Sequence, residues 1–337
     1  MPYTFTQVAT IPQGSAFGPW LPMGSFVAQG FINGAIGPYN NAAIWTCALN
    51  QLDTGGWSQA GIADTLATES AAAAVRHVDG YGLWNTEERG AIYKELSTGG
   101  IIRVFDGWSR GTGLGMATQG GVYLACSNED IGTFNKQHLM TWDGSSFLDA
   151  ATFEEEFFAA GLYAYNGEWY IPGCRMSSSG SISQGQPQLW ILRADYTRRV
   201  RAIVQSEPGY LWRGCFLDGR FVVSHRNGGT VYAYTEGSDV LEQIWSSGST
   251  RVDRIEPLLG RIWYTCNNGT LYTSDITAAA YTLEWTHPTG LSLRSIGQHP
   301  GSNRLTVWAN SGDAYSQAWV IVDTGLPGAL TARGQII

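Results

Sequence analysis

Short runs of β-forming residues, each opened by glycine and closed by asparagine or arginine, recur along the chain. GGVYLACSN (120–128), GEWYIPGCR (167–175), GRFVVSHRN (219–227) and GRIWYTCNN (260–268) are the clearest copies. NRLTVWANS (303–311) is a fifth, and GYGLWNTEE (80–88) and GSFVAQGFI (24–32) are weaker ones. With anchors at Gly24, Gly80, Gly121, Gly167, Gly219, Gly260 and Ser302, the copies lie 41 to 56 residues apart. Downstream of each anchor stands an apolar pair: Ile44-Trp45, Ile92-Tyr93, Leu139-Met140, Leu189-Trp190, Val231-Tyr232, Leu271-Tyr272 and Ala314-Tyr315. In the compact units the pair follows its anchor by 12 residues, the length of one strand, a hairpin turn and the start of the next strand. A second turn and a further strand follow, as in STGGIIRVF (97–105) and TEGSDVLEQIW (235–245). With a variable strand before each anchor, the pattern predicts seven units of four antiparallel strands.

A small twisted sheet cannot bury both faces alone, so such units stack around an axis and cover one another. The expectation is an all-β chain, one domain over 1–337, built as a seven-bladed β-propeller of four-stranded antiparallel blades, with six or eight blades as alternatives. Alternation over residues 3–10 predicts a strand that closes the ring beside ALTARGQII (329–337). The pattern resembles the β-propeller superfamily in its kelch-like and sialidase-like branches. Thr141-Trp142-Asp143-Gly144-Ser145-Ser146-Phe147 looks like the Asp-box hairpin of sialidase-type propellers. That resemblance implies a structural turn, its Asp accepting backbone hydrogen bonds and its aromatic residue packing inward. Two units depart from the period. The first is stretched by Ala60–Val75, read as a short helix capped by Asp64 or an extended connector. The fourth carries a Ser/Gly-rich loop, Met176–Gln186, expected to face solvent or to order against a neighbour. Glu154-Glu155-Glu156-Phe157-Phe158 reads as an acidic face followed by a packing pair.

Composition narrows the partners. Charged residues are only 14% of the chain and the net charge is −8, which argues against specific nucleic-acid binding, since that rests on clustered Lys and Arg. Lys94 and Lys136 are the only lysines, so 18 of the 20 basic residues are arginine. No window approaches the roughly 18 uninterrupted apolar residues of a membrane span, so no membrane insertion is expected. Five cysteines without a CxxC spacing predict buried, reduced thiols. The N-terminal residues lack the basic and apolar regions of a secretory signal. Together these point to assembly in a reducing cytoplasm.

Catalytic motifs are sparse. No GxSxG segment sits in a strand-to-helix setting, and GTGLGMATQGG (111–121) matches a dinucleotide pattern only by counting through glycines. His77, His138, His225, His287 and His299 lack metal-ligand spacing. A sialidase-type site would need an early arginine, whereas the first here is Arg76. No enzymatic activity, metal or cofactor is therefore expected, a sialidase-like or other glycoside hydrolase being the lesser alternative. Asn85, Asn128, Arg175, Arg226, Asn227, Asn267, Asn268 and Asn310 end the second strand of successive units and form a candidate interaction face. The alternative reading is that Asn-Gly and Asn-Asn simply make the tight turns. Ser178, Ser181, Gln184 and Gln186 form a candidate docking loop. The expected function is a non-enzymatic docking ring of a tailed-bacteriophage virion, in the tail nozzle, tail tip or a fibre attachment, assembled in the host cytoplasm with other virion proteins or copies of itself. A propeller that binds surface glycans, as a cytoplasmic or non-classically exported lectin or a receptor-binding protein, is the alternative, and it requires solvent-exposed tryptophan in clefts.

Overall fold

The computed structural model describes residues 3–12, 15–33, 41–63, 71–86, 90–95, 101–107, 111–130, 135–154, 157–177, 180–217, 219–248, 250–275, 280–312 and 314–324. These form seven antiparallel sheets in a ring. The first strand, β1 (Tyr3–Pro12), is set aside for the last sheet. Blade 1 holds β2 (Ser15–Pro22), β3 (Phe26–Asn33), β4 (Asn41–Ala48) and β5 (Trp57–Ala63). Blade 2 holds β6 (Ala71–Arg76), β7 (Gly82–Thr86), β8 (Ile92–Glu95) and β9 (Ile101–Phe105). Blade 3 holds β10 (Gly111–Gln119), β11 (Val122–Asp130), β12 (Asn135–Trp142) and β13 (Phe147–Glu154). In blade 4 the first strand is split into β14 (Phe157–Ala159) and β15 (Tyr163–Tyr165), followed by β16 (Glu168–Arg175), β17 (Gln186–Leu192) and β18 (Arg198–Ile203). Blade 5 holds β19 (Leu211–Leu217), β20 (Arg220–His225), β21 (Thr230–Tyr234) and β22 (Glu242–Ser246). Blade 6 holds β23 (Val252–Leu258), β24 (Arg261–Cys266), β25 (Thr270–Ser274) and β26 (Tyr281–Thr286). Blade 7 holds β27 (Ser292–Gln298), β28 (Arg304–Asn310) and β29 (Tyr315–Asp323), with β1 as its outer strand. The first strand of each blade packs on those of its neighbours, so these strands line the axis.

The glycine anchors mark the turn between first and second strands. Gly24, Gly80, Gly121, Gly167, Gly219 and Gly260 all have φ between 72° and 86°, a region that residues with a Cβ enter only with strain. In blade 7 the same conformation belongs to Gly301, φ 69°, one residue before the Ser302 anchor. The apolar pairs mark a second recurring feature. The outer strand of every blade carries one extra residue: Val8, Ala60, Val104, Ala150, Arg199, Ile244 or Glu284. In five blades the partner residues at that slip are the apolar pair itself, as at Ile44/Trp45 and Leu271/Tyr272. A bulge increases local twist, which a blade needs if its outer edge is to splay from the axis.

One expectation is corrected, and of two alternatives for another the extended one holds at its described ends. The N-terminal strand closes the ring, but its partner is β29, with Tyr3 opposite Asp323 and Pro12 opposite Tyr315; residues 329–337 lie outside the described residues. The chain leaves β29 already at the ring's edge, so β1 reaches it without the last segment. In the stretched first unit, both described ends of Ala60–Val75 belong to strands, β5 and β6, and Asp64 lies outside the described residues. The one helix among the described residues is instead a short 3-10 segment, Leu49–Thr54. Four consecutive alanines favour helix by propensity, and pairing of Ala71–Arg76 with β7 overrides it.

Packing runs between blades. Trp84, Trp190, Trp263 and Trp308 are fully buried; Trp308 meets Phe31 and Trp57 of blade 1 edge-on at 5.1 and 4.9 Å. At that seam a Cβ on Gly297 would collide with the Trp20 ring. Phe157 and Phe158, the packing pair, are buried, and Phe157 stacks on Trp190 at 3.9 Å; Glu155 and Glu156 lie outside the described residues. The Asp143 turn has the expected chemistry. Its Oδ1 accepts from the backbone N–H of Ser145 and Ser146, each at 2.8 Å, and these bonds, Ser146's foremost, hold its carboxyl down at about 2. Phe147 packs inward. All five cysteines are free and buried, and burial pushes the thiols of Cys126, Cys174 and Cys266 up to about 12.

Blade 2 buries a carboxylate against blade 1. Glu95 accepts from the Trp84 indole N–H at 3.0 Å through Oε2, while Oε1 has no hydrogen-bond partner among the described residues. Burial raises its pKa above the ordinary value, with the Trp84 bond opposing. The folded chain therefore holds a proton that the unfolded chain releases, and stability falls as pH rises from the ordinary glutamate pKa through the raised one. Glu95→Gln is expected to be more stable than the parent by about 1 kcal/mol at about pH 8 and to lose that part of the pH dependence. Urea unfolding at acid and alkaline pH measures both, and a variant no more stable at alkaline pH would contradict the assignment.

Candidate functional site

The axial strands share an irregularity near their starts. Register with the second strand slips at 17–19 in blade 1, Ala72 in blade 2, Leu114 in blade 3, Trp212 and Arg213 in blade 5, Asp253 in blade 6 and Arg294 in blade 7. In blade 4 the strand breaks at the same place, between β14 and β15. A bulge unpairs a residue and re-aims its side chain. In blades 5, 6 and 7 the re-aimed residues are Trp212, Arg213, Asp253 and Arg294, so the ring gathers aromatic and charged groups that the sequence keeps 40 residues apart.

Asp253 is the hub. Its buried carboxylate is gripped through both oxygens by Arg251, Nε to Oδ1 at 2.7 Å and Nη2 to Oδ2 at 3.1 Å. Arg294 of blade 7 reaches Oδ1 at 3.4 Å and Arg226 of blade 5 stands at 4.0 Å. Three blades thus meet on one aspartate. Arg226 also lies over the Trp212 ring, 5.0 Å from its centre, as does Arg213 at 4.6 Å, an arrangement attractive through the ring quadrupole. Arg213 is fixed at its bulge by Ser224, whose hydroxyl accepts from the Arg213 N–H at 3.3 Å and donates to its carbonyl at 3.2 Å.

Beside the bulges, with Leu114 and Arg213 in its lining, lies an axial chamber of about 380 Å³, walled by the inner strands of blades 2 to 6. Among the described residues its charged lining is Arg213, Arg254 and Glu256, with Tyr163 beside them. Burial raises the Glu256 pKa, and Arg254 and Arg213 oppose the rise. The Tyr163 hydroxyl accepts from the Gly214 N–H at 2.9 Å, tying blade 4 to blade 5. A separate buried network sits beside the hub in blade 5: Tyr232 donates to Glu207 at 2.6 Å, and His225 Nδ1 faces the same oxygen at 3.4 Å. Burial lowers the His225 pKa. Among the described residues, no group of His, Cys, Asp and Glu is placed to hold a metal ion.

The residues expected to form one interaction face fall into two sets. Asn85, Asn128 and Asn310 are buried and lock neighbouring blades together. The Asn85 amide donates to the carbonyls of Gly115 and Cys126 in blade 3. Asn128 donates to the Ala159 carbonyl at 2.8 Å and accepts from its N–H at 2.9 Å, and Asn310 donates to Ala16 at 3.2 Å. A side chain on Gly113 would strike Asn85, so the strut needs that glycine. Arg175, Asn227, Asn267 and Asn268 are exposed and Arg226 is half-buried. Asn267 accepts from the Arg251 N–H at 3.0 Å, positioning the residue that grips Asp253, and Asn268 accepts from the Thr270 N–H across its turn.

Described residues of the candidate docking loop are bonded to blade 5. Asn227 donates to the Ser183 carbonyl at 3.3 Å and the Gly209 N–H to that of Gly185 at 2.8 Å. Met176 is buried with Tyr210 and Trp212. Ser181 is half-buried, Gln184 and Gln186 are exposed, and Ser178 lies outside the described residues. Sequence reasoning reached Arg226 but missed Arg213, Arg251, Asp253, Arg254 and Arg294. Arg251-Val252-Asp253-Arg254, three charges in four residues of a chain only 14% charged, was the available signal. The described tryptophans are buried or half-buried, so the exposed tryptophan that a glycan cleft requires is not found among the described residues.

Fold and site define a seven-bladed β-propeller, a fold compatible with an interaction scaffold. No protein-family model matches the chain, and no curated protein is similar to it. Among solved structures, a chain in a crystal structure of the mitotic checkpoint complex is similar with a TM-score of 0.64 at 11% identity, over 95% of this chain and 91% of that one. Selenomethionine-substituted virginiamycin B lyase from Staphylococcus aureus is similar with a TM-score of 0.67 at 8% identity, over 94% of this chain and 99% of that one. At such identities the likeness is one of fold alone.

Proposed function

We propose that this protein is a non-enzymatic docking ring, and that its setting is the virion of a tailed bacteriophage, where it binds other virion proteins or copies of itself. The observation that carries the docking role is one continuous polar surface across blades 4, 5 and 6. It runs from the exposed Gln184 through Ser183 and Asn227 to Arg226, Arg251 and Asn267, each step a hydrogen bond, an ion pair to Asp253 or a chain neighbour, with Gln186 exposed two residues beyond Gln184. Hydrogen bonds and the ion pairs to Asp253 restrain several of these turn residues, so less side-chain freedom is lost on binding, and arginine is a favoured interface residue. The virion setting is supported by the arginine bias, the free thiols and the Asp-box-like turn.

Since Met176 is buried and Gln186 begins β17, surface substitution tests the loop better than deletion. Gln184→Lys with Gln186→Lys is expected to leave the melting temperature unchanged and to reduce incorporation into purified particles by about tenfold, the loss of roughly 1.4 kcal/mol of interface energy. Normal incorporation would remove the loop from the docking role. A chain found by mass spectrometry only outside purified particles would overturn the virion setting.

A further inference from the structure

We propose that the axial chamber is a binding site for a small amphipathic oxyanion, a molecule with a carboxylate or phosphate head and a compact apolar body. At about 380 Å³ the chamber falls within the range of small-molecule sites, roughly 300–1,000 Å³. Its lining is divided. Among the described lining residues, Leu114, Met116, Leu162 and Phe216 supply apolar wall, while Arg213 and Arg254 bring two guanidiniums beside the carboxylate of Glu256. Both arginines are deeply buried, 4% and 7% exposed, and guanidinium keeps its charge in such surroundings. A charged donor acts more strongly there than in water, and the planar fork of arginine matches the paired oxygens of a carboxylate or phosphate.

The site is also preorganised. Ser224 pins the Arg213 backbone on both sides and Trp212 underlies its guanidinium, so binding need not freeze a loose side chain. Across the axis, blade 2 presents Ala73 and Ala74 to the chamber. The alanine run that the repeat pattern could not place thereby leaves open space facing the two arginines. Size and charge select a small ligand over a polymer: the ring as a whole carries −8, which repels an extended polyanion, whereas a single head group meets the guanidiniums at close range. Chamber and docking surface use different residues, so either role can hold without the other.

Isothermal titration of the intact protein with 3-phenylpropionate and phenyl phosphate tests the site, with 3-phenylpropanol as the neutral analogue and inorganic phosphate as the head alone. At least one of the two anions is expected to bind with a dissociation constant below about 1 mM and about tenfold or more tightly than the alcohol, the margin set by one charged hydrogen bond. Arg254→Gln is expected to weaken that anion by about tenfold. Ala73→Leu, which fills the facing wall without altering charge, is expected to weaken anion and alcohol alike, while circular dichroism shows both variants folded. Equal binding of anion and alcohol overturns the proposal. So does an unchanged affinity in a folded Arg254→Gln protein, or the absence of heat from both anions up to about 10 mM. Should Arg254→Gln fail to fold, the anion-to-alcohol ratio of the parent and the Ala73→Leu result decide.

Discussion

Removal of residues 1–12 is expected to abolish the cooperative ring rather than merely to loosen it. Without β1 the edge of β29 is left unpaired from Tyr315 to Asp323, and an exposed strand edge is a template for aggregation. The loss also reaches blade 6, because Tyr3 packs edge-on against Trp263 at 5.2 Å and Phe5 stacks on Trp285 at 4.9 Å. A propeller is stabilised by each blade covering the next, so an unsealed seam weakens both neighbours. The truncated chain should elute as aggregate in gel filtration. Adding a synthetic peptide of residues 1–12 should recover a fraction of monomer, because the missing pairing is intermolecularly replaceable. A monomeric truncation with the parent's melting temperature would show that the closure carries no stability.

Asp253→Ala is expected to lose about 3 kcal/mol of stability. Breaking a buried ion pair typically costs roughly 3–5 kcal/mol because the remaining charge is stranded, and here Arg251, Arg294 and Arg226 would be left facing one another. Water reaches each guanidinium, whose side chains are 19–22% exposed against 3% for the aspartate, which places the loss at the low end of that range. Part of it should be recovered in about 1 M salt, where the Debye length is near 3 Å and the mutual repulsion of the arginines is screened. Urea denaturation at low and high salt separates the two contributions. A variant as stable as the parent at low salt would mean that the three blades do not depend on this hub.

The blade count, the strand order and the hinge of each first hairpin were legible because they are local and repeated. A glycine with positive φ must recur wherever the same tight turn recurs, and alternation survives as long as one strand face stays covered. The Asp143 turn was legible for the same reason, since all its bonds close within four residues. The placement of the eight candidate face residues was legible only in part. Asn85 and Asn268 look alike in sequence, each ending a second strand, yet one is buried between blades and the other turns a loop at the surface. Burial of the next blade, absent from any local window, separates them.

Sequence alone determined the period, the antiparallel four-stranded unit, the closing role of the N-terminal strand and the absence of charge from most of the ring. Each of these is fixed by backbone conformation and by which side chains leave water. Tertiary structure decided the partner of β1, the burial of three of the eight face residues and the assembly of the Asp253 hub and axial chamber. Those depend on bulges, where the slip in the first strand re-aims one or two side chains, and on the stacking of successive blades, which sets residues from blades 5, 6 and 7 within ion-pair distance. A bulge shifts register by one without changing composition, so the alternation of apolar and polar residues carries almost no trace of it; only the packed ring shows where the arginines point.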